Sequence, residues 1–234
     1  AGNGGNHSGT IDIDAGNNVS LAGAVGGNYA YAQIGHGGVF ANGNLTGLID
    51  VNAGNAVLFA GSNSNNSYTQ IGHGGLESDA IIDAPINVTA GAGGFSVARN
   101  SGANYAQIGH GGVHADGATI NGDITVVSEG TIQFDRNSNN TSNAYAMIGH
   151  GGNGSDALKS GNISVTSTAG DILFGTDTAQ TGRSAVQIGH GGRAALGNTS
   201  GNISVLAPTG AVRFHGVLAQ DDVNQREGDA QLGH

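Results

Sequence analysis

The 234-residue sequence has no cysteine and no tryptophan, and only 10% of its residues are charged. Without cysteine, the chain can form neither disulfides nor thiolate-ligated metal sites. All seven Lys and Arg residues lie at or after Arg99, and the formal net charge is −10. Because phosphate binding needs clustered cations, we expect no nucleic acid partner. No apolar run approaches the roughly 18 residues that would indicate a transmembrane segment, so none is predicted.

Glycine dominates the composition, with 45 of the 234 residues, whereas aromatic residues make up only 5%. Such a bias is also found in disordered linkers. The 37% of residues that are hydrophobic, however, fall in short alternating runs that return at a fixed period, and linkers lack that order. We therefore expect an ordered repeat protein.

One motif marks the repeat, "YAQIGHGG" at 31–38. Near-copies of it follow at 68–75, 105–112, 145–152 and 186–192, and "AQLGH" occupies 230–234. The histidines of these motifs are separated by 37, 37, 40, 40 and 44 residues, a period typical of solenoids, propellers and other arrays. The motif divides a single repeat domain, 1–234, into six repeats: 1–38, 39–75, 76–112, 113–152, 153–192 and 193–234.

Two strand-like runs precede the motif in each repeat, for example "TIDIDAG" and "NVSLAG" in the first. Alternation of apolar and polar residues places one set of side chains on the inner face of each run. In the first run these residues are Ile11, Ile49, Ile86, Ile124, Ile163 and Ile203, followed two positions later by Ile13, Val51, Val88, Val126, Val165 and Val205. In the second run they are Leu21, Phe59, Val97, Phe134, Phe174 and Phe214.

These strands, with no amphipathic helix between them, predict an all-β fold, a parallel β-solenoid (β-helix) in which equivalent residues stack about 4.8 Å apart. Stacking of like on like would also let Asn and Gln side-chain amides hydrogen-bond from repeat to repeat. A six-bladed β-propeller is the alternative, because six units of about 40 residues also suit that architecture. The pattern leaves open whether each repeat forms one wide coil or two narrow ones, and whether segments such as "VFANGNLTG" add a further strand.

The runs "GNISVTSTAGDILFGT" at 161–176 and "GNISVLAPTGAVRF" at 201–214 resemble the coils of filamentous haemagglutinin-like and autotransporter-type adhesins. These are secreted bacterial right-handed β-helices, and "IGHGG" is not part of their general pattern. The resemblance implies an extracellular or cell-surface fibre or adhesin. Separately, a solenoid cut between repeats would expose unpaired strand edges, so we expect the chain to associate end to end or within a longer fibre. Because the chain starts with a segment that elsewhere follows "HGG" and stops at His234, we expect it to be a fragment of a longer repetitive chain.

The repeated histidine has two interpretations. In the third run, Tyr31 and Gln33 alternate with Ile34 and His36, so the histidine faces inward with the isoleucine, at the end of a strand. A metal ladder is one interpretation, but no second ligand recurs at a fixed short offset. We favour a structural role, in which both ring nitrogens satisfy main-chain groups at a corner and a neutral row loses stability in acid. The predicted corner histidines are His36, His73, His110, His150, His190 and His234.

Aspartates recur shortly after the glycine pair, at Asp79, Asp116 and Asp156. "GGNGSD" at 151–156 matches the half-site of calcium-binding repeats once, whereas such sites need tandem copies to surround the ion. Capping of turn N–H groups is the simpler role for these carboxylates. We therefore expect no cofactor, and a calcium site at the three aspartates is the alternative.

The segment between the second run and the motif varies most in length, which predicts a loop flank that serves as a binding surface. Tyrosines border this flank at Tyr31, Tyr68, Tyr105 and Tyr145, where they would contact glycans or stack on each other. The last insertion holds a lone carboxylate cluster, Asp221, Asp222 and Glu227, without an aromatic sugar platform, so we expect no enzyme and no catalytic residues.

The function expected from these observations is structural and adhesive, as part of an extracellular fibre with rigid stacked strands and an attachment flank. A glycan- or calcium-dependent binding module is the alternative. A polysaccharide-acting enzyme is the third and least favoured function.

Overall fold

A computed structural model describes the chain as an all-β protein without helices in the part it covers. That part contains no helix long and apolar enough to cross a membrane. The described residues are 4–23, 29–60, 66–97, 105–117, 119–135, 145–175, 185–215 and 230–234.

Each repeat contributes one strand to each of four parallel sheets, here named A to D in chain order. Sheet A contains His7–Ser8, Asn44–Thr46, Ile81–Asp83, Thr119–Asn121, Leu158–Ser160 and Thr199–Ser200. Sheet B contains Ile11–Ala15, Ile49–Ala53, Ile86–Ala90, Ile124–Ser128, Ile163–Ser167 and Ile203–Leu206. Sheet C contains Val19–Ala22, Ala56–Ala60, Gly94–Val97, Ile132–Phe134, Ile172–Phe174 and Val212–Phe214. Sheet D contains Tyr31–Ile34, Tyr68–Ile71, Tyr105–Ile108, Tyr145–Ile148, Ala185–Ile188 and Ala230–Leu232.

Strands of one sheet come from successive repeats and pair in parallel, with equivalent residues opposite each other. Ile86 lies opposite Ile49 on one side and Ile124 on the other. One repeat therefore makes one turn, here called a rung and numbered 1 to 6. The predicted parallel β-solenoid is confirmed, with one wide coil per repeat. The propeller alternative is wrong, because a blade would pair strands of the same repeat and not of its neighbours.

The main core lies between sheets B, C and D. It contains all the inward-facing residues predicted from the first two runs, either buried or packed against the buried set. Val51, Phe59 and Ile71, for example, are 0–1% exposed. Stacked aliphatic columns of this kind remove apolar surface from water along the whole axis, which is the main source of stability in such a fold.

Sheet A is formed by a fourth strand in each repeat, whose existence the sequence left undecided. It forms a second, smaller core from Leu45, Ile82 and Ile120 together with three alanines. The chain after each glycine pair also packs on sheet D, where Leu76 and Val113 contact the tyrosine side of the sheet. Both faces of sheet D are therefore buried in its central strands, such as Tyr105–Ile108.

Candidate functional site at the histidine corner

The motif histidines form one column at the end of sheet D. Neighbouring rings stack with centroids 4.7–5.0 Å apart and interplanar angles of 2–8°. The four internal rings are at most 1% exposed, namely His73, His110, His150 and His190. The structure thus places the four internal corner histidines inside the solenoid, whereas His36 is half-buried in rung 1 and His234 is exposed in rung 6.

One ring nitrogen joins each rung to the next. The main-chain N–H of His110 donates to Nδ1 of His150 at 3.1 Å. The same bond occurs at the other four junctions, with N···N distances of 2.9–3.1 Å. Because this N–H lies past the end of the strand, where the ladder stops, the ring supplies the acceptor that a buried main-chain donor requires.

The second ring nitrogen joins the histidine to the link between sheets A and B of its own rung. Nε2 of His110 lies 2.8 Å from the carbonyl oxygen of Ala84, and Nε2 of His150 lies 2.7 Å from that of Gly122. A carbonyl oxygen only accepts, so Nε2 carries the proton and Nδ1 carries the lone pair. In the four internal rings both nitrogens are used in this way, and neither is free to bind a metal ion.

Burial keeps the internal rings neutral. Desolvation, opposed by the Gly47 carbonyl and reinforced by His36, lowers the pKa of His73 to about 4. Desolvation and the neighbouring His190 ring lower the pKa of His150 to about 3. The pKa of His110 lies well below the usual value for the same reasons, since rings flank it on both sides.

A glutamine column runs beside the histidines and binds the same corner. Nε2 of Gln107 donates to the carbonyl oxygens of Gly149 at 2.9 Å and Gly151 at 2.8 Å, both in the next rung. Gln70 makes the equivalent pair of bonds to the rung above it. The predicted ladder of amide-to-amide hydrogen bonds is therefore not formed by these glutamines. Both amides donate to main-chain carbonyls of the next rung instead of to the next glutamine. Direct side-chain ladders occur elsewhere, as between Asn55 and Asn18 at 2.9 Å.

The tyrosine column is an internal stack. Rings of successive tyrosines lie 4.8–4.9 Å apart and within 6° of parallel. Tyr68, Tyr105 and Tyr145 are 1–6% exposed, and burial raises the pKa of each phenol above its usual range. These three rings cannot form the exposed binding flank expected from the sequence, because the chain after the glycine pair covers them. Only Tyr31, in rung 1, is open at 45% exposed.

Each glycine of "GHGG" is required by a different contact. A Cβ on Gly109 would overlap the carbonyl group of Gly149 in the next rung. Gly111 has φ +70, and a Cβ there would lie 2.7 Å from Cδ1 of Ile120. A Cβ on Gly112 would overlap the Tyr105 hydroxyl. The third glycine therefore leaves room for a ring, whereas the second adopts a positive φ at the corner.

The three aspartates named as a calcium alternative lie exposed near the link into sheet A. Oδ1 of Asp116 accepts the main-chain N–H of Asp156 at 3.0 Å, and Oδ1 of Asp156 accepts that of Leu196 at 3.2 Å. The main-chain N–H of Asp79 donates to the Ala41 carbonyl. Among the described residues, no group of three or more His, Cys, Asp or Glu is placed to hold a metal ion.

Lys159 is a buried cation that the sequence analysis missed. It pairs with Ile120 in sheet A and lies in the aliphatic column, 1% exposed. Its Nζ donates to the carbonyl oxygens of Ser155 at 2.8 Å and Ala157 at 2.7 Å. Desolvation lowers its pKa, against smaller opposing effects of Asp156 and Asp116. Alignment of "LKS" with "TIN" of the preceding repeat is the signal that would have revealed it.

A groove of about 620 Å³ follows the corner between sheets B and C. None of the described residues that line it is aromatic, and its two carboxylates come from rungs 1 and 4. The described lining of the groove thus shows neither an aromatic ring nor two carboxylates from neighbouring rungs. Its lining includes Asp14, Asn52, Thr89, Val127, Glu129 and Thr168.

The predicted loop flank lies outside the described residues, and so do Asp221, Asp222 and Glu227. Comparison with known proteins adds no assignment: no protein family, curated protein or solved structure matches the chain.

Proposed function

We propose that this chain is a structural and adhesive segment of an extracellular fibre, comparable in role to the secreted bacterial adhesins that its coils resemble. The supporting observation is the uniform junction between rungs. At all five junctions, a main-chain N–H donates to the histidine ring of the next rung. A stack bonded in the same way at every described junction transmits tension along its axis.

The two ends of the stack are complementary, which favours head-to-tail association. At each internal junction the histidine main-chain N–H of the earlier rung donates to the histidine ring of the later rung. Where the motif has a glutamine, as at Gln107, its amide also donates to a glycine carbonyl of the later rung. The edge of rung 6 therefore presents donors from His234 and Gln231, and the edge of rung 1 presents acceptors from His36 and Gly35. Rung 6 also exposes Val212 and Leu232, at 43% and 52%, in columns that are buried in rungs 2 to 5. Unpaired strand edges of this kind template the addition of another strand.

Electron cryomicroscopy of assemblies of the 234-residue chain tests the fibre. We expect filaments with an axial rise of about 4.8 Å per rung and the histidine column continuous across the copies. Leu232→Lys should abolish filaments because it charges the core edge. Leu206→Lys is the matched control, because Leu206 is 53% exposed on the same rung and pairs with the half-exposed Thr166 outside the core. Monomers of unchanged chain at high concentration, or equal filaments from both variants, would contradict the association.

Immunogold labelling of the producing cells tests the location. Antibodies raised against the chain should decorate filaments at the cell surface. Label confined to the cell interior would overturn the proposed extracellular role, whatever the purified chain assembles into. Attachment is assigned to the variable segments. Replacing 136–144 with a Gly-Ser linker of equal length should reduce cell adhesion without changing filament formation.

A further inference from the structure

The imidazole column holds the rungs together only in one protonation state. Nδ1 of His150 accepts the N–H of His110 at 3.1 Å, and Nε2 of His150 donates to Gly122 at 2.7 Å. A proton added to Nδ1 would place two N–H donors against each other at that distance. The bond between rungs would then become a repulsive contact.

We propose that the histidine column is an acid-sensitive seam, at which proton uptake separates successive rungs and opens the solenoid. This inference rests on the geometry of the corner and not on the proposed fibre function. The regulatory property is pH-dependent opening: the solenoid is closed at neutral pH and opens in mild acid.

Spacing makes the opening cooperative. Adjacent rings lie 4.7–5.0 Å apart, so two neighbouring imidazolium cations repel each other strongly inside the solenoid. Each ring also holds the main chain of the rung before it, so that loss of His150 frees the corner at His110. Opening at one junction therefore weakens the next one, and the seam releases along the column.

Among the described residues, no carboxylate acts as a counter-charge to the buried rings. The titratable or charged neighbours that influence the buried rings are the adjacent imidazoles and, at His190, the Lys159 ammonium. The His7 ring lies 6.4 Å from His36 at the rung 1 end. The hydrogen-bond partners of the buried ring nitrogens are main-chain N–H and carbonyl groups, which carry no net charge and cannot neutralise an imidazolium cation. Burial accordingly lowers the pKa of His190 to about 4, as it does for His73.

The sign follows from proton linkage. The pKa values of the folded state lie below the unfolded value of about 6.5, so the unfolded chain binds more protons in acid. Stability is complete above pH about 6.5 and is lost as the pH falls towards the folded values, about 4 for His73 and about 3 for His150. For each buried ring that stays neutral in the folded state, the unfolding equilibrium constant rises about tenfold for every unit by which the pH falls within that window.

Urea unfolding between pH 7.5 and 4.5 tests the seam, with tyrosine fluorescence as the readout because three stacked tyrosines become exposed. The pH dependence of the unfolding constant gives the proton uptake, which should approach four, one for each buried ring. His110→Asn retains an acceptor near the position of Nδ1 but cannot be protonated, so its uptake should fall by about one. His114→Asn is the control, because that imidazole is exposed, and its uptake should equal that of the unchanged chain. Equal uptake in all three proteins would overturn the proposal.

Nitrogen-15 spectra of the unchanged chain test the same point without a variant. At pH 7.5 the buried rings should show a bare Nδ1 and a protonated Nε2. Those signals should disappear at the pH at which tyrosine fluorescence reports opening. Buried rings that are doubly protonated in the closed solenoid at pH 5, or that carry the proton on Nδ1 at pH 7.5, would contradict the seam.

Discussion

The main-chain N–H of His110 donates to Nδ1 of His150, 40 residues further along the chain and one rung up the axis. The motif "YAQIGHGG" is thus a connector between turns as well as a strand and a corner. Its tyrosine stacks on the next tyrosine, its glutamine binds the glycine carbonyls of the next rung, and its glycines admit these close approaches. Each position of the motif can therefore be tested by the loss of its own contact.

Gln107→Met should lower the free energy of unfolding by about 2–3 kcal/mol. Methionine has a similar shape and already occupies this column at Met147, but it cannot donate to Gly149 and Gly151 or accept from the Tyr145 hydroxyl. Buried carbonyl oxygens without a donor make this loss larger than that of a surface bond. Chemical denaturation measures the change.

Gln133→Met is the matched control. Gln133 lies half-buried in sheet C, and within the described part of the chain its amide donates to the Asp135 carboxylate at 3.0 Å. Its replacement should change stability by about 0.5 kcal/mol or less, as surface substitutions usually do. Equal losses in the two variants would show that the glutamine column has no special role.

Gly112→Ala should destabilise the protein by about 1–3 kcal/mol, because the new methyl group overlaps the Tyr105 hydroxyl. Removal of that hydroxyl in Tyr105→Phe should recover part of the loss. The hydroxyl has no hydrogen-bond partner among the described residues, so Tyr105→Phe alone should cost little. A double-mutant cycle followed by thermal denaturation measures the coupling, expected to be at least about 0.5 kcal/mol.

Tyr145→Phe distinguishes this steric effect from a general effect of removing a phenol. The Tyr145 hydroxyl donates to Oε1 of Gln107 at 3.1 Å, so its loss should cost more than that of Tyr105. Strict additivity of Gly112→Ala and Tyr105→Phe would mean that the third glycine is needed for some reason other than the ring.

Glu77→Gly should raise the free energy of unfolding by about 0.5–1 kcal/mol. Glu77 is exposed and has φ 54, in the left-handed region that strains any residue with a Cβ. The equivalent residue of repeat 5 is already glycine, Gly154, with φ 67. Glu77→Ala removes the charge but keeps the strain, so it should give no gain in a urea melt. A gain from alanine equal to that from glycine would show that the charge, and not the backbone, was the unfavourable feature.

The sequence predicted the solenoid and its main core because the evidence is periodic and local. Val51 and Phe59 belong to alternating runs that recur in every repeat, and they face inward as that alternation requires. Six repeats also align by eye on the histidine, so the register of the stack follows directly. The choice between one coil and two depended on sheet A, whose strands of two or three residues are too short to show a period.

The sequence did not predict what covers sheet D. Period-two alternation assigns one face to the core and the other to solvent, so Tyr105 and Gln107 were expected outside. The chain after the glycine pair folds back instead and buries that face under residues such as Val113. A return of the chain over its own strand is a tertiary contact, and no local pattern in "GGVHAD" encodes it.

Lys159→Ile should raise the free energy of unfolding by about 1 kcal/mol at pH 7. The substitution restores the aliphatic column of Ile82 and Ile120 and removes an ammonium group whose partners are two carbonyl oxygens. The folded pKa of Lys159 is lowered, so the penalty for its charge is present below that pKa and disappears as the pH rises above the unfolded value of about 10.4. The stability difference between the two proteins should therefore shrink as the pH rises from 7 to 10.5. A constant difference over that range, or a loss of stability at pH 7, would mean that the two carbonyl bonds outweigh the cost of burying the charge.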